Sequence, residues 1–174
     1  MNPDELTEAV RGLGFENIPQ ARFTIRQARG LVDYENEGET WSAPGNFRAW
    51  ALAEVRRWNR PPRSKLGDPD GVSVLRPSGK SGSAFLLYSK TLVYRIGGRA
   101  VGVVQVQGVA VKTIAVHPDF QGQGVASALL AAARAHGAVY MDGPYSPGGK
   151  AVAERFNRQT VALMPPAVVQ ELMR

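Results

Sequence analysis

No cysteine occurs in the 174 residues, which excludes disulfides, thiolate-ligated zinc and a thiol nucleophile. Histidine is almost as scarce: His117 and His136 are the two imidazoles, so a histidine-rich metal site is not expected and no metal cofactor is assigned. No uninterrupted apolar run is long enough to span a bilayer, so no membrane partner is expected. The first residues, MNPDELTEAVRGLG, are acidic and lack the basic, apolar pattern of a secretory leader. A cytoplasmic location is the expectation by default.

What is present is ordinary in amount and uneven in placement. Hydrophobic residues make up 44% and charged residues 21%, the composition of a globular domain with a real core. Residues 1–45 carry four Arg against eight Asp and Glu, a net charge of −4. Residues 46–100 carry eleven Lys and Arg against three acids, or +8, and residues 101–174 carry six against four, or +2. The basic excess of the whole chain, +6, therefore belongs to its middle. Such a segment suits an anionic partner or is a solvated face.

Patterning divides the chain. Residues 3–14 read as a short helix ended by Gly12 and Gly14. RFTIRQAR (22–29) alternates Phe23, Ile25 and Gln27 and reads as a strand. DYENEGE (33–39) reads as loop or solvated helix. NFRAWALAEVRRWN (46–59) is a helix capped by Asn46, with Phe47, Trp50, Ala51, Val55 and Trp58 at helical spacing and Pro61-Pro62 as its stop. The stretch 63–82 is rich in Gly, Pro, Ser and Asp, with one β-like run at 72–75.

Beyond it lie SAFLLYSKTLVYRI and RAVGVVQVQ, separated by Gly97-Gly98, and then VAVKTIAV (109–116): an antiparallel meander. A helix over 125–136 stopped by Gly137, a buried parallel strand AVYM (138–141), the loop GPYSPGG and a helix over 150–159 follow. Residues 160–174 read as a strand, a turn and a terminal helix.

The junction IAVHPDFQGQGVASALL (114–130) carries the functional signal. First-turn amides of a helix lack intrahelical acceptors and sit at the positive end of its dipole. Glycines let several such amides face one anion closely. A phosphate-binding P-loop would need Lys-Ser or Lys-Thr after the glycines, which is absent here. A dinucleotide loop would need a third small residue on the G-x-G-x-x-G register and a preceding βαβ start. Asp142 stands near the distance of a ribose-binding acid, but a meander precedes these glycines.

Gln121-Gly122-Gln123-Gly124-Val125-Ala126 reads Q-x-x-G-x-A, and with Val116-His117-Pro118 upstream it resembles the acyl-CoA loop of the GCN5-related N-acetyltransferase (GNAT) superfamily. The resemblance is clear over 84–160 and suggestive over 20–60, where FTIRQA looks like the family's first strand and helix 46–59 like its substrate-side helices. It implies a mixed α/β fold: a central, mostly antiparallel sheet with splayed central strands, flanked by helices. It also implies one domain over 1–174, with a variable acceptor-side part (1–83), an acyl-CoA-binding core (84–160) and a C-terminal strand and helix (161–174).

Carried onto this chain, the resemblance places acetyl-CoA as co-substrate on Ile114, Ala115, Val116, Gln121, Gly122, Gln123, Gly124, Val125, Ala126 and Ser127. Backbone groups of Ile114 and Val116 pair with the pantetheine, and amides of Gln121 to Ala126 hold the pyrophosphate. Ser127 adds a hydroxyl to a phosphate or is a small polar residue of the first turn. The reaction is direct attack of a primary amine on the thioester.

The family's tyrosine acid is replaced by Asn157, within Ala153-Glu154-Arg155-Phe156-Asn157. Tyr145 and His117 are the substitute candidates for proton transfer; loop tyrosine and turn histidine are their structural alternatives. The acceptor is a small molecule or a protein, and a homodimer is admitted. Arg56, Arg57, Arg60, Arg63 and Lys65, with Trp58 among them, form a basic 56–65 segment suited to nucleic acid or an acidic partner, unless Trp50 and Trp58 pack inward. Three readings stay open: an N-acetyltransferase, a relative that binds or modifies nucleic acid, and a non-catalytic CoA-binding member.

Overall fold

The computed structural model describes residues 1–31, 44–59, 70–75, 89–141 and 147–174. The acidic 33–39 run, most of the 63–82 stretch, Asp142, Tyr145, and the basic residues Arg60, Arg63 and Lys65 lie outside the described residues. Among those described, the element order is α1 (Pro3–Gly12), α2 (Ile18–Ala28), α3 (Pro44–Arg57), β1 (Gly71–Leu75), β2 (Ser89–Ile96), β3 (Arg99–Gln107) and β4 (Ala110–Val116). A short 3-10 turn (Pro118–Phe120), α4 (Val125–Ala135), β5 (Tyr140–Met141), α5 (Pro147–Ala162) and α6 (Pro166–Leu172) complete it.

The five strands form one sheet in the order β1-β2-β3-β4-β5, antiparallel except for the β4–β5 pair, which is parallel. This is the mixed, mostly antiparallel sheet expected, with helices on both faces. Period-2 alternation sorts the side chains. Leu92, Val104, Val106, Val111 and Val116 face α4 and α5 and pack with Val125, Leu129, Ala133, Ala153 and Phe156. Val93, Val103 and Ala115 face the other way, onto Ala51 of α3, with Trp50 and Trp58 against them. A third cluster joins Ala110 and Tyr140 to Leu6, Val10, Ile25, Val168 and Leu172 of α1, α2 and α6.

Gly102 allows the close approach of α4 to β3. A Cβ there would stand 2.7 Å from Val125 Cγ1 and 2.9 Å from Leu129 Cδ1, below any normal carbon contact. The helix is thereby seated directly over the strands that precede it. Arg134 then fastens α4 to α5, with Nη1 donating to Thr160 Oγ1 at 2.8 Å and Nη2 to the Phe156 carbonyl at 3.0 Å. On the opposite face, Asn59 exchanges two hydrogen bonds with the backbone of Ala100, at 2.8 and 3.0 Å, which ties the end of α3 to β3.

Two expectations are corrected. RFTIRQAR is not a strand: it lies in α2, so FTIRQA is not the family's first strand. The alternation of Phe23, Ile25 and Gln27 covers three positions only. Ala21, Thr24, Ile25 and Ala28, all buried, recur at helical spacing, and the Asn17 side chain caps the helix by accepting from the Gln20 amide at 2.9 Å. Nor is there a strand after residue 160: α5 runs on to Ala162 and α6 follows. Apolar Val161 continues a helical stripe onto the α1–α2–α6 cluster.

Candidate functional site

Strand β4 is the centre of the site, because its two edges are used differently. Towards β3 it is paired along its length, from Gln107↔Ala110 to Gly102↔Val116. Towards β5 the described pairing covers Ala110↔Tyr140 and Val111↔Met141, together with the Val139 amide donating to the Val109 carbonyl at 2.8 Å. Among the described residues none pairs with this edge of β4 beyond Val111, while the strand runs on to Val116.

The direction of the backbone groups there follows from the ladder. The His117 amide donates to the Val101 carbonyl at 2.8 Å. Residues of an antiparallel pair alternate in the edge they serve, so His117 and Ala115 address β3 while Ile114 and Val116 turn their N–H and C=O to the edge away from it. Gln121 confirms it: its Nε2 donates to the Val116 carbonyl at 3.3 Å.

The chain leaves β4 through the 3-10 turn and enters α4 through Gln121-Gly122-Gln123-Gly124. Gly122 has φ 77° and Gly124, the N-cap of α4, has φ 82°. Both values lie in the left-handed region, where a side chain is strained. A Cβ added at either would meet nothing within 4 Å, so backbone conformation and not crowding by the protein calls for glycine. No side chain caps α4 at Gly124, and the first-turn amides of Val125, Ala126 and Ser127 have no acceptor within the helix. Both glutamines fold backwards, Gln121 onto Val116 and Gln123 Nε2 onto the Asp119 carbonyl at 3.4 Å. The loop thus offers bare backbone to an anion.

Arg155 stands beside this loop, an arrangement that sequence reasoning missed. Its Nη2 donates to Ser127 Oγ at 3.3 Å, bringing a cation to the first turn of α4 from 28 positions further along the chain. No local pattern signals that pairing; it arises where α5 passes α4.

His117 is half-buried at the end of β4. Its Nδ1 accepts from the Asp119 amide at 3.1 Å and lies 3.9 Å from Asp119 Oδ2, and its ring meets Phe120 edge-on at 5.6 Å. With Nδ1 used as an acceptor, the neutral ring carries its proton on Nε2. Tyr145 lies outside the described residues.

Asn157 has no exposed surface. Its Oδ1 accepts from the Met141 amide at 3.1 Å, and its Nδ2 donates to the Met141 carbonyl at 3.5 Å and to Oε1 of buried Gln27. The residue at the tyrosine position of the family pattern therefore fastens the end of β5 to α5 and α2.

In the basic segment, Arg56 and Arg57 are exposed, and Arg57 pairs with Glu54 at 3.3 Å. Trp58, with Trp50, packs against the cluster beneath α3. Among the described residues no group of three or more His, Asp or Glu could hold a metal ion, and no helix is long and apolar enough to cross a membrane.

A strand edge turned away from β3, a left-handed glycine turn and a helix N-terminus without a side-chain cap follow one another along the chain here. Comparison with known proteins agrees with that geometry. Residues 88–159 match the family model described as an acetyltransferase (GNAT) domain, and such domains take their acyl group from acetyl-CoA. No curated protein and no solved structure matches the chain. By the match over 88–159 and the sheet that carries it, residues 88–159 form a domain of the GNAT superfamily.

Proposed function

We propose that this protein is an acetyl-CoA-dependent N-acetyltransferase that moves the acetyl group directly to a primary amine, within a single domain over 1–174. The observation carrying the reading is the meeting of the β4 edge that faces away from β3 with the bare amides of the Gly122–Gly124 turn. The residues fit the co-substrate. Outward groups of Ile114 and Val116, with Ala115 between them, suit the amide-bearing arm, and amides from Gln121 to Ala126 suit the diphosphate. Ser127 and Arg155 add a hydroxyl and a cation beside it.

The amine nitrogen attacks the thioester carbonyl, a C–N bond forms, the C–S bond breaks, and the amine proton is lost while the thiolate gains one. The Val116 amide, on the edge away from β3, suits the developing oxyanion. Asn157 cannot serve as the acid, since its amide group is neutral and is held by Met141 and Gln27. His117 and Tyr145 stay the side-chain candidates for proton handling, beside transfer through water with no protein acid. His117 retains Nε2, since Nδ1 is occupied by Asp119.

Release of CoA thiol on mixing acetyl-CoA with a panel of primary amines tests the function. Amine-dependent release is expected, and absence of turnover with every amine, while acetyl-CoA still binds, would leave a non-catalytic CoA-binding member. In the same assay His117→Ala is expected to lower kcat by about 10²-fold, the lower end for a lost general acid or base, without raising KM for acetyl-CoA. An unchanged kcat removes His117 from the chemistry.

A further inference from the structure

The face of the sheet opposite α4 and α5 is covered at two places. Ala51 of α3 lies over Val93, Val103 and Ala115, and the α1–α2–α6 cluster takes in Ala110 and Tyr140. One row of side chains runs between them. The register pairs Thr91 with Gln105 and Gln105 with Thr113. Each lies two positions along its strand from Val93, Val103 or Ala115, so all three point to the α3 side.

Thr91 is 9% exposed, and Gln105 and Thr113 are half-buried. Among the described residues none of their three side chains has a hydrogen-bond partner. Other buried polar side chains of this protein are bonded to named partners, Asn157 to Met141 and Gln27 and Thr160 to Arg134 and Phe156. Polar groups half-removed from water are kept where something bonds to them. Two hydroxyls and a carboxamide can each donate and accept. Spaced by two inter-strand steps of about 4.8 Å, they offer roughly 10 Å of neutral hydrogen-bonding surface. Its β4 end, Thr113, lies two residues past Val111, the last β4 residue of the described pairing with β5.

Charge narrows the ligand further. None of the five strands contains Asp or Glu. The acid that the described part of α3 contributes, Glu54, is paired with Arg57. Among the described residues the strands of this floor offer a polycationic amine no counter-charge. Arg95, buried on the same face, is engaged with Ser73 Oγ at 2.7 Å.

We propose that Thr91, Gln105 and Thr113 form the acceptor subsite, and that the acceptor is an amine flanked by neutral amide or hydroxyl groups, not a polyamine. The inference rests on the acetyltransferase reading above. Alanyl-alaninamide and glucosamine distinguish the amide from the hydroxyl source of the same chemistry, and spermidine supplies the opposing case.

Initial rates with these three amines are measured for the wild type, Gln105→Leu, Thr113→Val, the double variant and Thr113→Ser, alongside calorimetric titration of each protein with acetyl-CoA. One of the two neutral amines is expected to exceed spermidine in kcat/KM. Each single variant should raise its KM about 2- to 10-fold, the range of one lost hydrogen bond, and Thr113→Ser should restore it. Acetyl-CoA affinity should not change. Spermidine as the best acceptor, or an unchanged amine KM in the double variant with acetyl-CoA bound normally, overturns this inference alone. A wild type that does not bind acetyl-CoA overturns the underlying reading and this inference together.

Discussion

Gly124→Val is expected to weaken acetyl-CoA binding by at least tenfold while leaving the protein folded. The two effects separate because of where residue 124 sits. A Cβ there meets nothing of the protein within 4 Å, so no core contact is disturbed. The φ of 82° is strained for any L side chain and most for a β-branched one, at a cost of about 1–2 kcal/mol. The variant relieves that strain by turning the loop out of the left-handed region, or keeps the loop and stands two methyl groups before the first-turn amides. Either outcome scatters the donors that a diphosphate needs to find converging. The lost stability corresponds to a fall in Tm of only about 2–8 °C for a chain of this length. Titration calorimetry and a thermal melt on one preparation check both halves. Unchanged affinity would mean that the glycine turn serves the fold alone.

Asn157→Leu is expected to be the more damaging change for stability. Leucine matches the volume of the site but returns none of the hydrogen bonds to the Met141 amide and to Gln27 Oε1. A buried group stripped of its partner costs about 1–3 kcal/mol, so a loss of roughly 3 kcal/mol is expected from the pair, or a Tm lower by about 6–12 °C. Asn157→Tyr, which restores the family's usual residue, is expected to destabilise rather than to activate. The phenol has to enter a fully buried position, and overpacking of that kind costs about 1–3 kcal/mol before any lost hydrogen bond. A tyrosine variant that is stable and raises kcat would show that position 157 opens onto the chemistry after all. Thermal melts with parallel thiol-release rates decide it.

These two residues also mark what could be read from the chain before its folding was known. The meander, the glycine turn and α4 were legible because each has a local signature. Gly97-Gly98 separates two β-rich runs, Gly122 and Gly124 punctuate a strand-to-helix junction, and Gly137 ends the helix. The parallel strand at Tyr140–Met141 was legible from its brevity between a helix and a loop. Where the signature was short it misled: a three-residue alternation at Phe23, Ile25 and Gln27 belongs to a helix whose real stripe is Ala21, Thr24, Ile25 and Ala28.

The remaining features are products of tertiary register and leave no local trace. Asn157 reaches Gln27 across 130 positions, Arg155 reaches Ser127 across 28, and the Thr91–Gln105–Thr113 row exists only once three strands are paired. The placement of Trp58 was likewise tertiary: it packs half-buried against the cluster beneath α3, while Arg56 and Arg57 are exposed.

The central claim is that a diphosphate rests on the Gly122–Gly124 turn while an amide-bearing arm lies along Ile114 and Val116. Calorimetric titration of the wild type with acetyl-CoA and with S-acetylpantetheine, which keeps the arm and the thioester but lacks the nucleotide diphosphate, tests it most directly. The account predicts saturable one-to-one binding of acetyl-CoA and at least 100-fold weaker binding of S-acetylpantetheine. Equal affinity for the two, or no heat with acetyl-CoA, would contradict it.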